Sequence, residues 1–378
     1  MDPVHVPTKK LRSWFGERSV AILCLLGCRT ASIPPQAAAQ EPRCGLPEHA
    51  ERSGISVSRW PYGDGCEVEL KGPQDDLRPL IPLLAQVFDD ATGRRVLHIK
   101  LKRLGSIAGL EALPPLDELS IHGAHLADLS VFAHDGQPVR SVAGLKSLIL
   151  EDLSISDMKP LGGLTGLEQL EISDCPGLID IRPLGRLTRL RELSLYNTGV
   201  FDIRPIAALK KLEKLHVLSW PRREELVSLQ PLSDLHGLLE FSYTGGISTD
   251  LGALGGMTKL NDLHLRIEQD LGPIPELPRL TTLMLESRTL DNIDALRRAP
   301  RLASLELWIE RPIRLGVLAD VPTLRELLVI AGGQNDLVAD LMHDEAAGLS
   351  RRRPEVRVVG PMNTLSRPSS SVSSRTDL

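Results

Sequence analysis

The apolar positions of this chain spell one phrase many times over: an apolar residue, two residues of any kind, a second apolar residue, one of any kind, and a third apolar residue. Leu145/Leu148/Leu150 recurs as Leu167/Leu170/Ile172, Leu190/Leu193/Leu195 and Leu212/Leu215/Val217. The series continues as Leu238/Phe241/Tyr243, Leu260/Leu263/Leu265, Leu280/Leu283/Leu285, Leu302/Leu305/Leu307 and Leu324/Leu327/Val329. Upstream, Val96/Ile99/Leu101 and Leu116/Leu119/Ile121 fit the same template. Successive units begin mostly 20 to 23 residues apart. A fixed period of that size predicts a solenoid, in which each unit buries its apolar face only by stacking on its neighbours.

A second phrase lies between the first ones. Asp157-Met-Lys-Pro-Leu161 returns as Asp180-Ile-Arg-Pro-Leu184 and Asp202-Ile-Arg-Pro-Ile206. Weaker copies are Ser106–Leu110, Asp128–Phe132, Ser228–Leu232, Asp250–Leu254, Asp270–Ile274 and Asn292–Leu296. An Asp, Ser or Asn ahead of Pro is turn and cap chemistry: the side-chain oxygen satisfies an orphan backbone N–H, and Pro fixes φ. Each unit therefore reads as a short strand, a turn, and a short helical or 3₁₀ return.

With both phrases in hand, the chain resembles a leucine-rich repeat protein of the internalin-like bacterial class over roughly residues 96 to 330, through a motif that recurs about ten times. The resemblance implies an α/β leucine-rich repeat solenoid, with a curved parallel sheet on the concave face and short helical or 3₁₀ segments on the convex face. It also implies protein binding as the activity. One departure stands out. The family usually places Asn three residues after the third apolar position; here Leu153, Cys175, Thr198 and Trp220 stand there, so turns less regular than the family's are expected.

The segments outside the repeats predict caps and an export signal. Residues 1–27 carry Lys9, Lys10, Arg12 and Arg18 ahead of the apolar run Val20–Cys28, which is too short to span a bilayer permanently and reads as a signal peptide. Leu25-Leu26-Gly27-Cys28 resembles a bacterial lipobox and makes Cys28 the candidate lipidation site. Cleavage after Ala37-Ala38-Ala39, or a cytoplasmic chain with an unused signal, are the alternatives. Residues 28–43 read as a flexible tether. Residues 44–95 read as an N-terminal cap, a hairpin of Ile55–Trp60 and Cys66–Leu70 followed by a helix over Asp75–Phe88. Cys44 and Cys66 pair naturally in an oxidising compartment; two reduced thiols are the alternative. The repeats fill 96–335. A C-terminal cap follows at 336–360, with a helix over Asp336–Leu349 whose apolar side is Leu337, Leu341 and Ala346–Ala347, and a last strand over Pro354–Val359. Residues 361–378 read as a disordered tail.

Composition narrows the function. The chain has 378 residues, 42% of them apolar, and a formal net charge of −5, which does not suggest a nucleic-acid surface. No cofactor or metal is expected, and there is no zinc-ligand spacing. Strand side chains alternate, so the residue between the second and third apolar positions faces outward. That column reads Lys100, Ser120, Ile149, Glu171, Ser194, His216, Ser242, His264, Met284, Glu306 and Leu328. It repeats no chemical type, and no nucleophile, base and orienter converge, so the chain is not read as an enzyme. His216 and His264 stand two repeats apart, roughly 10 Å, too far to share a metal directly. A row just before the second apolar position is acidic: Glu118, Gln169, Glu192, Lys214, Glu240, Asp262 and Glu326. Met284, Trp308, Leu328 and Ile330 put apolar side chains on predicted outward positions of neighbouring strands, and with Tyr196 they are the candidate partner-binding residues. Two insertions, Ala133–Val139 and Pro221–Glu225, lengthen their repeats. These features predict an envelope protein held by a lipid anchor that binds another protein, or else a structural envelope protein without a dedicated ligand.

Overall fold

The computed structural model describes residues 55–59, 66–70, 78, 81, 96–101, 107–123, 126–218, 228–247, 251–267, 275–288, 290, 293–331 and 336–363. All of these lie in one compact unit, Pro42–Leu378. Cys28, Cys44, the tether, Pro221–Glu225 and nearly all of the cap helix predicted at Asp75–Phe88 lie outside the described residues.

The repeated phrase folds as strands. After β1 (Ile55–Arg59) and β2 (Cys66–Leu70) come β3 (Val96–Leu101), β4 (Glu118–His122), the short pair β5 (Ala133–His134) and β6 (Gln137–Pro138), and β7 (Ser147–Glu151). Then follow β8 (Gln169–Ser173), β9 (Glu192–Tyr196), β10 (Lys214–Leu218), β11 (Glu240–Ile247), β12 (Asp262–Ile267), β13 (Thr282–Ser287), β14 (Ser304–Ile309), β15 (Glu326–Ala331) and β16 (Arg357–Asn363). All but β5 and β6 join one 14-stranded sheet in chain order. β1 and β2 pair antiparallel as predicted, and from β2 onward every pair is parallel. This is a leucine-rich repeat solenoid.

Burial alternates along each strand. In β9, Leu193 and Leu195 are buried while Glu192, Ser194 and Tyr196 are half-buried, and the same alternation holds in β7 and β10. Register stacks like positions on like: Leu170 beside Leu193 beside Leu215, and Ile172 beside Leu195 beside Val217. The lock is repeated too. The carbonyl of Glu168 accepts from the amides of Arg191 and Glu192 at 2.8 and 3.1 Å, and that of Arg191 accepts from Glu213 and Lys214 at 2.7 and 2.9 Å. A side-chain slip of one residue would turn each leucine to the wrong face, so register is strongly specified.

The second phrase folds as 3₁₀ segments, among them Lys159–Gly163, Arg182–Arg186, Arg204–Ala208 and Gln230–Leu232. As predicted, the carboxylates of Asp157, Asp180 and Asp202 accept from the amides of Lys159, Arg182 and Arg204 at 2.9, 2.9 and 3.0 Å. Pro follows in the first turn, where its missing N–H costs nothing.

Four expectations are corrected. In the first repeat, Leu97 lies in register with Leu119 and Ile99 with Ile121, so the residue beside Ser120 is His98, and Lys100 lies beside His122. Leu97, Ile99 and Leu101 share one face at period two, so periodicity alone does not fix the register. The turns are also regular where a regular ladder seemed lost. Asp152, Asp174 and Asn197 each take a left-handed φ of 49–56° in consecutive repeats, and each amide donates to the next repeat at 2.7–3.0 Å. The Asn197 side-chain amide also donates to Asp174 at 2.6 Å. The polar rung sits one residue earlier than the family's place, on residue types that tolerate this conformation; Leu153, Cys175 and Thr198 are buried beneath it.

The C-terminal cap holds the other two. Its helix, α1, runs Asp336–Arg352 and buries Val338, Met342, Ala346 and Leu349, whereas Leu341 is 43% exposed. Both 337/341 and 338/342 satisfy helical spacing. The packed face is the one on which Met342 Sδ accepts from Ile313 N at 3.3 Å and Glu345 accepts from Leu315 N at 2.9 Å. The last strand begins at Arg357, later than predicted, because 353–356 form a turn on which the Arg353 guanidinium donates to the carbonyls of Ala319 and Val321 at 3.2 and 3.0 Å. The Ala133–Val139 insertion is a tight hairpin, β5–β6, turned at Asp135 and Gly136, both with positive φ.

Candidate functional site

The sheet sets three outward residues per strand in rows that cross the strands. The middle row runs Ser120, Ile149, Glu171, Ser194, His216, Ser242, His264, Met284, Glu306 and Leu328, with every neighbour in register. The acidic row is continuous as predicted from Gln169 through Glu192, Lys214, Glu240 and Asp262. It is internally tied by Lys214 and Glu240, 3.1 Å apart.

The five candidate partner-binding residues fall into two groups. Tyr196 on β9 stacks on the His216 ring of β10, centroids 6.4 Å apart. Three strands lie between β9 and the others on β13, β14 and β15. There, Trp308 lies in register with Ile330, and Met284 and Leu328 flank Glu306 in the middle row. Trp308, Leu328 and Ile330 are half-buried, whereas Met284 is only 7% exposed and contributes little surface. The sequence reading missed a member: Val359 of β16 lies in register with Leu328 and is 36% exposed. The apolar spacing of the last strand carried that signal, since the row continues one strand beyond the final leucine phrase. Trp308 Nε1 donates to Glu306, which fixes the indole against the sheet.

Burial governs the ionisable groups on this face. Burial, then the neighbouring Lys214, holds the His216 imidazole down at about 4. Burial, then His216, does the same to His264. Both rings are therefore neutral near pH 7. Burial, aided by Glu151, pushes the Glu171 carboxyl up, and burial raises Glu306 against the indole hydrogen bond. His264 is 6% exposed, and neither ring nitrogen has a hydrogen-bond partner. Ser242 lies beside it in register, yet no hydrogen bond joins hydroxyl and imidazole, so this pair lacks the link that activates a serine nucleophile. Among the described residues, no group of three or more His, Cys, Asp or Glu side chains is placed to hold a metal ion. No described helix is long and apolar enough to cross a membrane.

No protein-family model matches the chain, and no curated protein does. Solved structures do. An internalin, InlF, from Listeria monocytogenes is similar at 22% identity over 73% of this chain and 76% of its own, with a TM-score of 0.48. A chain from the octameric complex of latrophilin 3, Unc5D and FLRT2 is similar at 17% identity over 71% and 84%, with a TM-score of 0.49. The functional domain of InlJ from Listeria monocytogenes is similar at 16% identity over 63% and 53%, with a TM-score of 0.41. The fold assignment rests on the in-register stacking itself.

Proposed function

We propose that this chain is a non-catalytic protein-binding module whose partner docks on the concave sheet at strands β13 to β16. The observation that carries the reading is the adjoining set of Trp308, Ile330, Leu328 and Val359, exposed or half-buried on three neighbouring strands of the sheet. A Trp rimmed by aliphatic side chains, backed by a rigid sheet, has the anatomy of an interface hot spot. Tyr196 on His216 is a second, separate contact point on the same face. The irregular chemistry of the outward rows supports recognition of one shaped partner over a repeated ligand.

We further propose that the module works in the bacterial cell envelope, held by lipid on Cys28, with a bond between Cys44 and Cys66. These readings rest on the sequence motif alone. Palmitate labelling tests the anchor: an unlabelled mature protein that retains residues 1–27 would sink it. Binding is tested by proximity labelling at the cell surface, followed by pull-down of the labelled partner with Trp308→Ala and Leu328→Asp. Loss of capture by either variant, with circular dichroism unchanged, is expected. Undiminished capture by both would remove the partner from this patch, and no partner under any condition would favour a purely structural envelope role.

A further inference from the structure

The chain pairs opposite charges between neighbouring repeats. Lys146 meets Glu168 at 3.2 Å, Lys210 meets Asp234 at 3.2 Å, Arg297 meets Asp320 at 3.1 Å, and Arg191 meets Glu213. Each such pair ties one repeat to the next and leaves the edge electrically neutral there. At another place in the repeat, one where Arg189 and Lys211 are also exposed, stand Arg279 and Arg301. They occupy the same place in successive repeats, each immediately before the first leucine of its unit, Leu280 and Leu302. Both are exposed, and neither has an ion pair or a hydrogen bond among the described residues. Glu276, the nearest acid along the chain, pairs with neither. Lys259 holds the equivalent place one repeat earlier, also exposed and also without an acidic partner among the described residues. Three consecutive repeats thus carry a cation at the same place.

The two arginines also line one cleft. Its walls are Asn261, Pro278, Arg279, Thr281 and Arg301, and it encloses about 360 Å³. That lies near the lower end of the range for small-ligand sites. The chemistry of the walls is one-sided. Two guanidiniums present only donors, in a planar fork matched to oxyanions. The Asn261 side-chain amide has no hydrogen-bond partner among the described residues and adds a neutral donor, while the Thr281 hydroxyl donates to the Asn261 backbone carbonyl at 3.3 Å. Among the described residues, no carboxylate lines the cleft. Two cations lining one cleft make it attractive to an anion, whose charge they would share.

We propose that the Arg279–Arg301 cleft is a binding site for a phosphate-type oxyanion, free or carried on a lipid headgroup. It stands on the lateral edge, where the chain enters β13 and β14, and is independent of the concave patch. Two guanidiniums clamp the anion, Asn261 donates a third hydrogen bond, and Lys259 adds long-range attraction.

The test uses the full chain with two probes. Inorganic phosphate is titrated against sodium chloride at matched ionic strength, reading the melting temperature and calorimetric heat. Vesicles of phosphatidylglycerol, with phosphatidylcholine vesicles as the neutral control, are tested by co-sedimentation. The double variant Arg279→Gln/Arg301→Gln should weaken phosphate binding at least tenfold. Arg182→Gln, at an arginine already paired with Asp180, should leave it unchanged. Both substituted sites are exposed, and circular dichroism checks the fold of each variant. Phosphate binding without vesicle binding assigns a soluble source, and arginine-dependent binding to anionic vesicles assigns a lipid headgroup. Absence of both, or binding that survives in the double variant, overturns the proposal. None of these outcomes touches Trp308 or Leu328, so the concave-face reading stands or falls separately.

Discussion

Gly256→Ala is expected to be among the most damaging single methyl additions in this solenoid. Gly256 closes the 3₁₀ segment Leu251–Gly256 and lies against the preceding repeat. A Cβ there would sit 1.8 Å from the carbonyl oxygen of Ser233 and 2.9 Å from its carbonyl carbon. Both atoms are backbone, so no rotamer change relieves the clash. Ordinary contacts begin at 3.4 Å, so the two backbones must part locally by about 1.6 Å. Leu235, Leu254 and Met257, fully buried at this junction, lose packing as they do. Overpacking of this kind costs about 1–3 kcal/mol, and more where backbone must yield, so about 3 kcal/mol is expected. Gly144→Ala is the matched control: nothing lies within 4 Å of its Cβ. There the methyl group mainly restricts the unfolded chain and should stabilise by about 0.4–1 kcal/mol. Urea unfolding followed by far-ultraviolet circular dichroism reads both. At a slope of about 3 kcal/mol/M the first variant should lose about 1 M in midpoint while the second stays or rises. Solenoid stability sums nearest-neighbour terms, so the Gly256 variant should also broaden or split the transition. Equal midpoints for the two variants would refute the reasoning that backbone crowding between repeats limits stability here.

Three further outcomes are expected. Histidine normally titrates near 6.5 and His264 near 4, so between those values the unfolded chain binds a proton that the folded chain does not. This contribution is complete above pH 6.5 and is lost as pH falls toward 4, on the order of 2–3 kcal/mol. The raised carboxyls of Glu171 and Glu306 work in the opposite sense, favouring the folded state at lower pH, so the measurement is the stability difference between the wild type and His264→Asn at pH 7 and at pH 4.5; a difference that does not change with pH would sink the argument. Burial pushes the Cys175 thiol up to about 11, and it donates to the Ser173 carbonyl at 3.2 Å, so iodoacetamide at pH 8 should label it only as fast as the chain opens. Mass spectrometry of the Cys175 peptide checks this, and native labelling at the unfolded rate would contradict it. Arg353→Ala removes the donors that clasp Ala319, Val321 and Pro322 and should cost about 2–3 kcal/mol, with hydrogen exchange rising first in α1 and the last repeats; uniform exchange along the chain would count against a local clamp.

What the sequence discloses follows from how each feature is encoded. The inward leucines obey a period, and a period is visible in one dimension; so are the Asp–x–Lys/Arg–Pro caps, whose bonds join residues two apart. The rows across the sheet were legible as far as each strand announced itself by leucines, and failed at the two ends. At β3 three apolar residues on one face left the register open by two positions. At β16 no leucine phrase marks the strand, so Val359 was missed from the row it completes. The buried face of α1 depended on Met342 and Glu345 meeting backbone amides of another repeat, which no local pattern shows. The Arg279–Arg301 cleft was invisible for the same reason: charges 22 residues apart matter only once stacking makes them neighbours.

Stacking also explains how the two proposed binding surfaces could coexist on the same few repeats. The inward column is constrained at every unit, so variation is confined to outward positions, where each residue touches mainly its counterparts one repeat away. Arg301 and Trp308 belong to one repeat but lie seven residues apart, roughly 20 Å along an extended strand. A cationic edge and an apolar patch at that separation share no side-chain contact, so either can change without disturbing the other. The charge pattern shows the cost of such freedom. At Lys146–Glu168 and Lys210–Asp234 opposite charges face each other across repeats. Lys259, Arg279 and Arg301 have no such pair among the described residues, so their junctions do without that attraction.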